Sequence, residues 1–307
     1  MRINARHLVI SLLAAATLLL PLAVVGSAQA KGKPQPSGTT APAATGPVCG
    51  DVVLLKPDGS PWTCSFADDF DGRSLDATKW TPQLSSALGQ TMSGECRVDS
   101  PSNLSVSKGA LHLTARRAAE PFFCSTPAGG YWTRYSAAGV SSGHKFSQAY
   151  GRVEMRVRFP STRVAGAQAT MWLYPQQLTY GAWPASGEID LAEWYSVRPD
   201  YVVPLLHYLG DSDDPMRANW FCTVGDVTDF HTYAMVWTPQ AISFVYDGKT
   251  CMTNSAWSPD GLVTPPAPFD KPFFLLMNQG VGANGNAVTD DTPLPATTDV
   301  DYVRVWR

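Results

Sequence analysis

An all-β domain of two packed antiparallel sheets is what this sequence predicts, on three observations. Short stretches alternate apolar and polar residues with the period of two that a half-buried strand requires. Twenty-five Gly and 25 Pro punctuate those stretches and supply turns between them. No amphipathic pattern of helical period runs on for more than a couple of turns. Many short strands bury their apolar faces most simply by stacking as two sheets. Nothing repeats at a fixed period, which argues against a propeller or a solenoid.

The chain of 307 residues divides into three parts. Residues 1–30 read as a signal peptide. Arg2 and Arg6 precede an apolar run from Leu8 to Gly26, and Ala28-Gln29-Ala30 offers the small residues that signal peptidase reads. A membrane anchor is the rival reading, because the run is nearly long enough to span. Pro21 and the Ala-x-Ala ending favour cleavage after Ala30. Residues 31–47 contain no bulky apolar residue and are rich in Pro, Gly, Ala and Thr, a composition that cannot bury a core. They read as a disordered linker. Residues 48–307 are long enough for one large β-domain. No later segment is apolar enough to cross a membrane, so the processed chain is expected to be secreted and free of the bilayer.

Residues 1–30 hold two of the 23 basic residues and no acid, which leaves 21 Lys and Arg against 26 Asp and Glu. That acidic balance excludes a nucleic-acid or anionic-membrane partner and favours a neutral substrate. All six Cys (49, 64, 96, 124, 222 and 251) follow the cleavage point. An even count in a secreted chain points to disulfides, and pairing of sequence neighbours is the simplest of the many connectivities. No CxxC spacing supports zinc. Nothing in the sequence asks for more than a monomer.

Within the domain, Leu111–Ala115 is an early short strand. Gly151–Phe159 alternates strictly, with Val153, Met155, Val157 and Phe159 on one face and Arg152, Glu154, Arg156 and Arg158 on the other. Thr232–Trp237 and Ile242–Tyr246 follow, and Asp247-Gly248 has the composition of a hairpin tip. The chain closes on an alternating stretch from Val300 to Trp306.

The most informative segment lies between these strands, at Gly187-Glu188-Ile189-Asp190-Leu191-Ala192-Glu193-Trp194. A strand sends Glu188 and Asp190 to one face, and regular alternation would send Glu193 to the other. One extra residue, a β-bulge near Ala192, brings Glu193 back. Three carboxylates then share one face. Two neighbouring carboxyl groups with pKa values pushed apart are what glycoside hydrolysis needs. In the retaining form the pair stands about 5–5.5 Å apart. Glu at both ends, with strand curvature, can close the roughly 13 Å between backbone positions four apart. Asp190 between them is expected to hydrogen-bond a neighbour and to keep one Glu protonated by like-charge repulsion. The competing readings are a solvated strand face and a calcium cluster. Trp183, Trp194 and Tyr195 so close by argue against the first. The lack of a Gly- and Asn-rich loop argues against the second.

The segment from Trp183 to Glu193 resembles the signature of glycoside hydrolase family 16, and its E-x-D-x-x-E form resembles the bulged branch that includes the laminarinases. Phe66–Gly72, Asn103–Val106, Gly109–Leu113, Gly151–Arg156, Phe230–Trp237 and Val300–Val305 are similar to further family segments in the family's order. The resemblance covers most of residues 62 to 307. It implies a concanavalin A-like β-jelly-roll sandwich with an open cleft on its concave sheet and a polysaccharide substrate. It also implies a retaining reaction in which Glu188 is the nucleophile, Glu193 the general acid/base and Asp190 their tuner. Cleavage of β-1,3-glucan is the activity it favours. Mixed-linkage glucan, a galactan, transglycosylation and a non-hydrolytic binding protein are the alternatives.

The same resemblance implies substrate contacts at Trp172, Trp183, His207 and Gln279. Each has a bland counterpart, a core Trp or a satisfied buried polar side chain. It implies no cofactor for catalysis, and a structural calcium on the convex side held by Asp69, the carbonyl of Gly109 and Asp301. Asp69 departs from the family's more usual Glu. The stretches 198–203 and 211–219 match nothing in the family pattern.

Overall fold

The computed structural model describes residues 46–51, 53–261 and 263–307. The signal peptide expected at 1–30 and nearly all of the linker expected at 31–47 lie outside the described residues. Fifteen strands run through the remainder. They are β1 (Cys64–Asp68), β2 (Thr81–Pro82), β3 (Cys96–Arg97), β4 (Leu104–Ser107), β5 (Ala110–Thr126), β6 (Gly129–Ser141), β7 (Gly151–Arg158) and β8 (Ala167–Pro175). Then come β9 (Glu188–Tyr195), β10 (Val202–His207), β11 (His231–Trp237), β12 (Ile242–Tyr246), β13 (Lys249–Asn254), β14 (Phe273–Val281) and β15 (Ala296–Trp306). Ser85–Leu88 forms a single α-turn. No described helix is long and apolar enough to cross a membrane.

The strands stack as the two sheets of a jelly-roll sandwich. One sheet runs β10-β9-β8-β14-β6, with β2 on the far side of β6. The other runs β4-β5-β15-β7-β11-β12-β13, with β1 also on β15. The long hairpin β5–β6 joins them. The first part of β5 pairs with β4 and β15, and its second part pairs with β6. The last part of β6 pairs with β14. One chain crossing thus closes the sandwich along that side.

Alternation decides which side chains meet between the sheets. Val153, Met155 and Val157 of β7 are buried, as are Tyr233, Met235 and Trp237 of β11. They meet Met171 and Leu173 of β8, Ile189 and Trp194 of β9, and Leu275 and Met277 of β14 in one core. Phe159 stacks on Trp194 with ring centroids 5.8 Å apart. Burial of each large side chain contributes about 1.5–3 kcal/mol. The outer face of β7 carries the charges the alternation sends there. Arg156 donates to Asp301 at 2.6 Å and Arg158 to Asp299 at 2.6 Å.

The cysteines pair as sequence neighbours: Cys49–Cys64, Cys96–Cys124 and Cys222–Cys251. The second ties β3 to the crossing hairpin. The third ties the long β10–β11 connection to β13.

Candidate active site

The bulge expected near Ala192 is present in both ladders of β9. Against β8, Ala192 pairs with Met171 and Asp190 with Trp172, so Leu191 is the extra residue. Against β10, Glu193 pairs with Val203 and Asp190 with Leu205. Leu191 and Ala192 both enter the core. Glu188, Asp190 and Glu193 emerge together in an open cleft of about 600 Å³. The Tyr246 hydroxyl, on the opposite sheet, donates to the Leu191 carbonyl at 2.7 Å. It pins the bulge from behind. Tyr246→Phe leaves a buried carbonyl without that donor and should lower the unfolding free energy by about 1–3 kcal/mol. Urea denaturation measures this, and an unchanged midpoint would remove Tyr246 from the account.

Gly187 supplies the entry to β9. Its φ is +85°, and a Cβ there would meet Phe269, Phe273 and Pro268 at 3.1–3.2 Å. A side chain at this position would clash and strain the backbone that delivers Glu188.

Burial sets the electrostatics. Asp190 is almost fully enclosed, and its pKa lies well above the carboxylate range. Loss of solvent is the main cause, followed by the charges of Glu188 and Glu193 and a hydrogen bond shared with Glu188. Its Oδ2 has no hydrogen-bond partner, and His207 Nε2, 3.7 Å away, lies beyond hydrogen-bonding reach. Glu188 is pushed up to about 7 by burial and then by Glu193, while hydrogen bonds from Trp183 and Asp190 pull it back. Glu193 is raised by burial and held down by hydrogen bonds from Tyr195, Thr170 and Gln168. The Tyr195 hydroxyl donates to Glu193 Oε2 at 2.5 Å and that of Thr170 to Oε1 at 3.4 Å. Burial thus favours the neutral form most at Asp190, which shares a hydrogen bond with Glu188.

His207 pairs with Glu188 across the β9–β10 ladder. Its Nδ1 lies 3.0 Å from Asp211 Oδ2. Burial lowers its pKa, which favours the neutral ring with the proton on Nδ1 facing Asp211. Trp183 stands 54% exposed with its ring 5.5 Å from that of His207. Trp172, on β8, lines the cleft, and its indole N–H donates to Asn278 Oδ1 at 2.7 Å.

Gln279 does not reach the cleft. It is fully buried, donates to the carbonyls of Gln168 and Gly280, and accepts from Thr298 at 2.7 Å. Its neighbour Asn278 occupies the cleft face instead, because adjacent residues on β14 point to opposite sides. The residues considered for calcium are also otherwise engaged. Asp69 accepts from Arg304 at 2.8 Å and Asp301 from Arg156 at 2.6 Å. A divalent ion there would compete with two guanidinium groups for these partly exposed carboxylates. Sequence reasoning missed Asn278, Thr170, Asp211 and Tyr246, which carry no local motif and are assembled from separate strands and turns. It also missed Glu95 and Arg97, 3.9 Å apart in the cleft wall.

An open cleft across a β-sandwich, lined by three acids with raised pKa values and by tryptophan rings, defines a glycoside hydrolase. Comparison with known proteins agrees. Residues 94–286 match the model of the glycosyl hydrolases family 16. The chain is 32% identical over 276 residues to the beta-glucanase of Rhodothermus marinus, a match covering 84% of this chain and 90% of that protein. It is 31% identical over 259 residues to the glucan endo-1,3-beta-glucosidase A1 of Niallia circulans, covering 79% of this chain but only 37% of that longer protein. The solved laminarinase of Rhodothermus marinus superposes with a TM-score of 0.67 at 31% identity, covering 80% of this chain and 97% of that one. The chain belongs to family 16 of the glycosyl hydrolases.

Proposed function

We propose that this domain is an exported, endo-acting, retaining β-1,3-glucanase. The observation that carries the reading is the Glu188–Asp190–Glu193 face of the bulged strand. The relatives named glucanase or laminarinase support the substrate. An open cleft, rather than a closed pocket, suits attack within a chain. Three disulfides suit an oxidising compartment outside the cytosol.

In the first step the Glu188 carboxylate attacks the anomeric carbon while Glu193 gives its proton to the glycosidic oxygen. The C–O bond breaks and the far half of the chain departs as an alcohol. Asp190 keeps its proton and donates it in a hydrogen bond to Glu188, fixing the oxygen that attacks. In the second step Glu193, now ionised, takes a proton from water, and the resulting nucleophile displaces Glu188 with the β-configuration restored. Trp172 and Trp183 stack on the apolar faces of the sugar rings.

The experiment is reducing-sugar release by the purified chain on laminarin, mixed-linkage glucan, agarose, carrageenan and β-galactan, with Glu188→Gln alongside. Release from laminarin that disappears in the variant is expected. Release from a different polymer alone would keep the reaction and overturn the glucan. A folded wild type that releases nothing but binds laminarin would point to a binding protein.

The pH profile follows from the same residues. Attack requires Glu188 ionised, so kcat/KM should climb as pH rises through about 7. It should fall again when Glu193 loses its proton. The three acids interact, so both limbs belong to the set rather than to single residues. An acid limb near 4, the ordinary carboxylate range, would contradict the burial argument.

A further inference from the structure

The stretch from Asp211 to Phe221 has no periodicity, yet it is sewn firmly to the sheet. After β10 the chain makes a 3-10 turn at Asp211–Asp213 and returns along the strand it has just left. The Leu206 N–H donates to the Arg217 carbonyl at 2.8 Å, and the Val202 N–H to the Cys222 carbonyl at 3.0 Å. The Cys222–Cys251 disulfide and a 3.0 Å bond from Asn219 Nδ2 to the Cys251 carbonyl anchor it to β13. This return segment presents Trp220 at the cleft rim, 41% exposed. The Trp220 ring lies 6.2 Å from that of Tyr195, tilted by 29°.

Arg198 lines the same end of the cleft. Its guanidinium lies against the rings of Tyr201, Trp220 and Phe221 at 4.9, 5.8 and 5.3 Å. It donates to the Trp220 carbonyl at 3.1 Å. That bond uses one of its five N–H donors, so most of them remain for another acceptor. A flat apolar ring and a fixed bank of donors, side by side on a rigid mount, are the complement of a pyranose with its apolar face and its rim of hydroxyl oxygens.

We propose that Trp220 and Arg198 form a sugar subsite on the leaving-group side of the cleft, taking a pyranose unit of the departing chain. The side is set by the contacts of Trp220. It stacks on Tyr195, whose hydroxyl holds Glu193. Trp183 and His207 flank Glu188 at the other end of β9. This assignment rests on the retaining reading above, in which Glu193 protonates the departing oxygen. An acceptor sugar that replaces water in the second step enters from the same side. The subsite therefore also favours transfer to sugar over hydrolysis.

The test is the cleavage pattern of laminarihexaose labelled at its reducing end, with wild type, Trp220→Ala, Trp220→Phe and Arg198→Ala. Loss of the ring removes the preference for bonds that place sugar units on Trp220. Cleavage by Trp220→Ala should move toward the labelled end. Its kcat/KM on the hexasaccharide should fall about tenfold relative to that on a short aryl glycoside. Transfer products at high substrate concentration should decline, and Trp220→Phe should restore the pattern. An unchanged pattern in a folded Trp220→Ala variant overturns the subsite. A uniform loss at every bond of the hexasaccharide, with the pattern unmoved, would mean instead that Trp220 acts on Glu193 through Tyr195. If the wild type cuts a galactan hexasaccharide and leaves laminarihexaose intact, the glucan reading fails, and the subsite is then judged by the same pattern on the galactan.

Discussion

Glu188→Gln should abolish turnover while making the folded domain more resistant to heat at pH 8. Gln keeps the shape of the carboxylate and one acceptor oxygen but cannot form the glycosyl ester. Removing a covalent nucleophile costs on the order of 10⁴ to 10⁶-fold in kcat. The stability gain has a separate origin. The folded-state pKa of Glu188 is raised from 4.5 to about 7, so between those values the native state holds a proton that the unfolded chain has released. Where the native state binds more protons, stability falls as pH rises. The protonated carboxyl is fully compatible with burial below pH 4.5, and that stability is lost by the time pH passes 7. Gln never ionises and escapes the loss. Melting curves of wild type and variant should therefore diverge at pH 8 and converge near pH 4.5. A variant that melts lower than wild type at pH 8 would mean that Glu188 is better solvated than its burial implies. Residual laminarin hydrolysis at a tenth of the wild-type rate would remove it from the role of nucleophile.

That trade is the physical cost of the site, and it explains which parts of it the sequence could reveal. The bulge could be inferred because three acids alternating with Ile and Leu make chemical sense only if Glu193 rejoins Glu188 and Asp190. β7 was equally legible, because one of its faces is charged and the other apolar. β14 was not. Phe273–Val281 is buried along nearly all of its length, so no polar alternation marks its phase, and Gln279 was expected on the face that Asn278 occupies. The raised pKa of Asp190 was also invisible. Spacing shows that three carboxyl groups converge, but only the depth of each decides which one stays neutral. Trp220 was hidden for another reason. Its segment has no pattern of its own, and its position comes from backbone bonds to β10 and a disulfide to β13. Asp69 and Asp301 sit where the resemblance puts calcium ligands, yet their fates depend on Arg304 and Arg156, whose reach no motif records.

Glu193→Ala should separate the two chemical steps, with losses that depend on the leaving group. On laminarin the departing alcohol is a poor leaving group, and without a proton donor the loss should be about 10²–10⁴-fold, the usual span of general acid catalysis. An aryl glycoside whose phenolate departs unaided needs no such proton, so its first step should be nearly spared. The second step then limits the rate, because no carboxylate remains to take a proton from water. The glycosyl-enzyme should accumulate and appear as a burst of phenolate followed by slow turnover. Azide needs no base. With Glu188 intact it should attack the intermediate from the face that water uses, restore turnover and give the β-glycosyl azide. In Glu188→Ala, azide should instead displace the aryl group directly and give the α-product. The two variants thus predict opposite configurations from one reagent. NMR of the azide products decides between them. A β-azide from the Glu188 variant, or an α-azide from the Glu193 variant, would exchange the roles of the two acids. Tyr195 adds a graded version of the same test. Its hydroxyl donates to Glu193 and holds down a pKa that burial raises. Tyr195→Phe should shift the alkaline limb of the pH profile upward, because Glu193 then keeps its proton to higher pH.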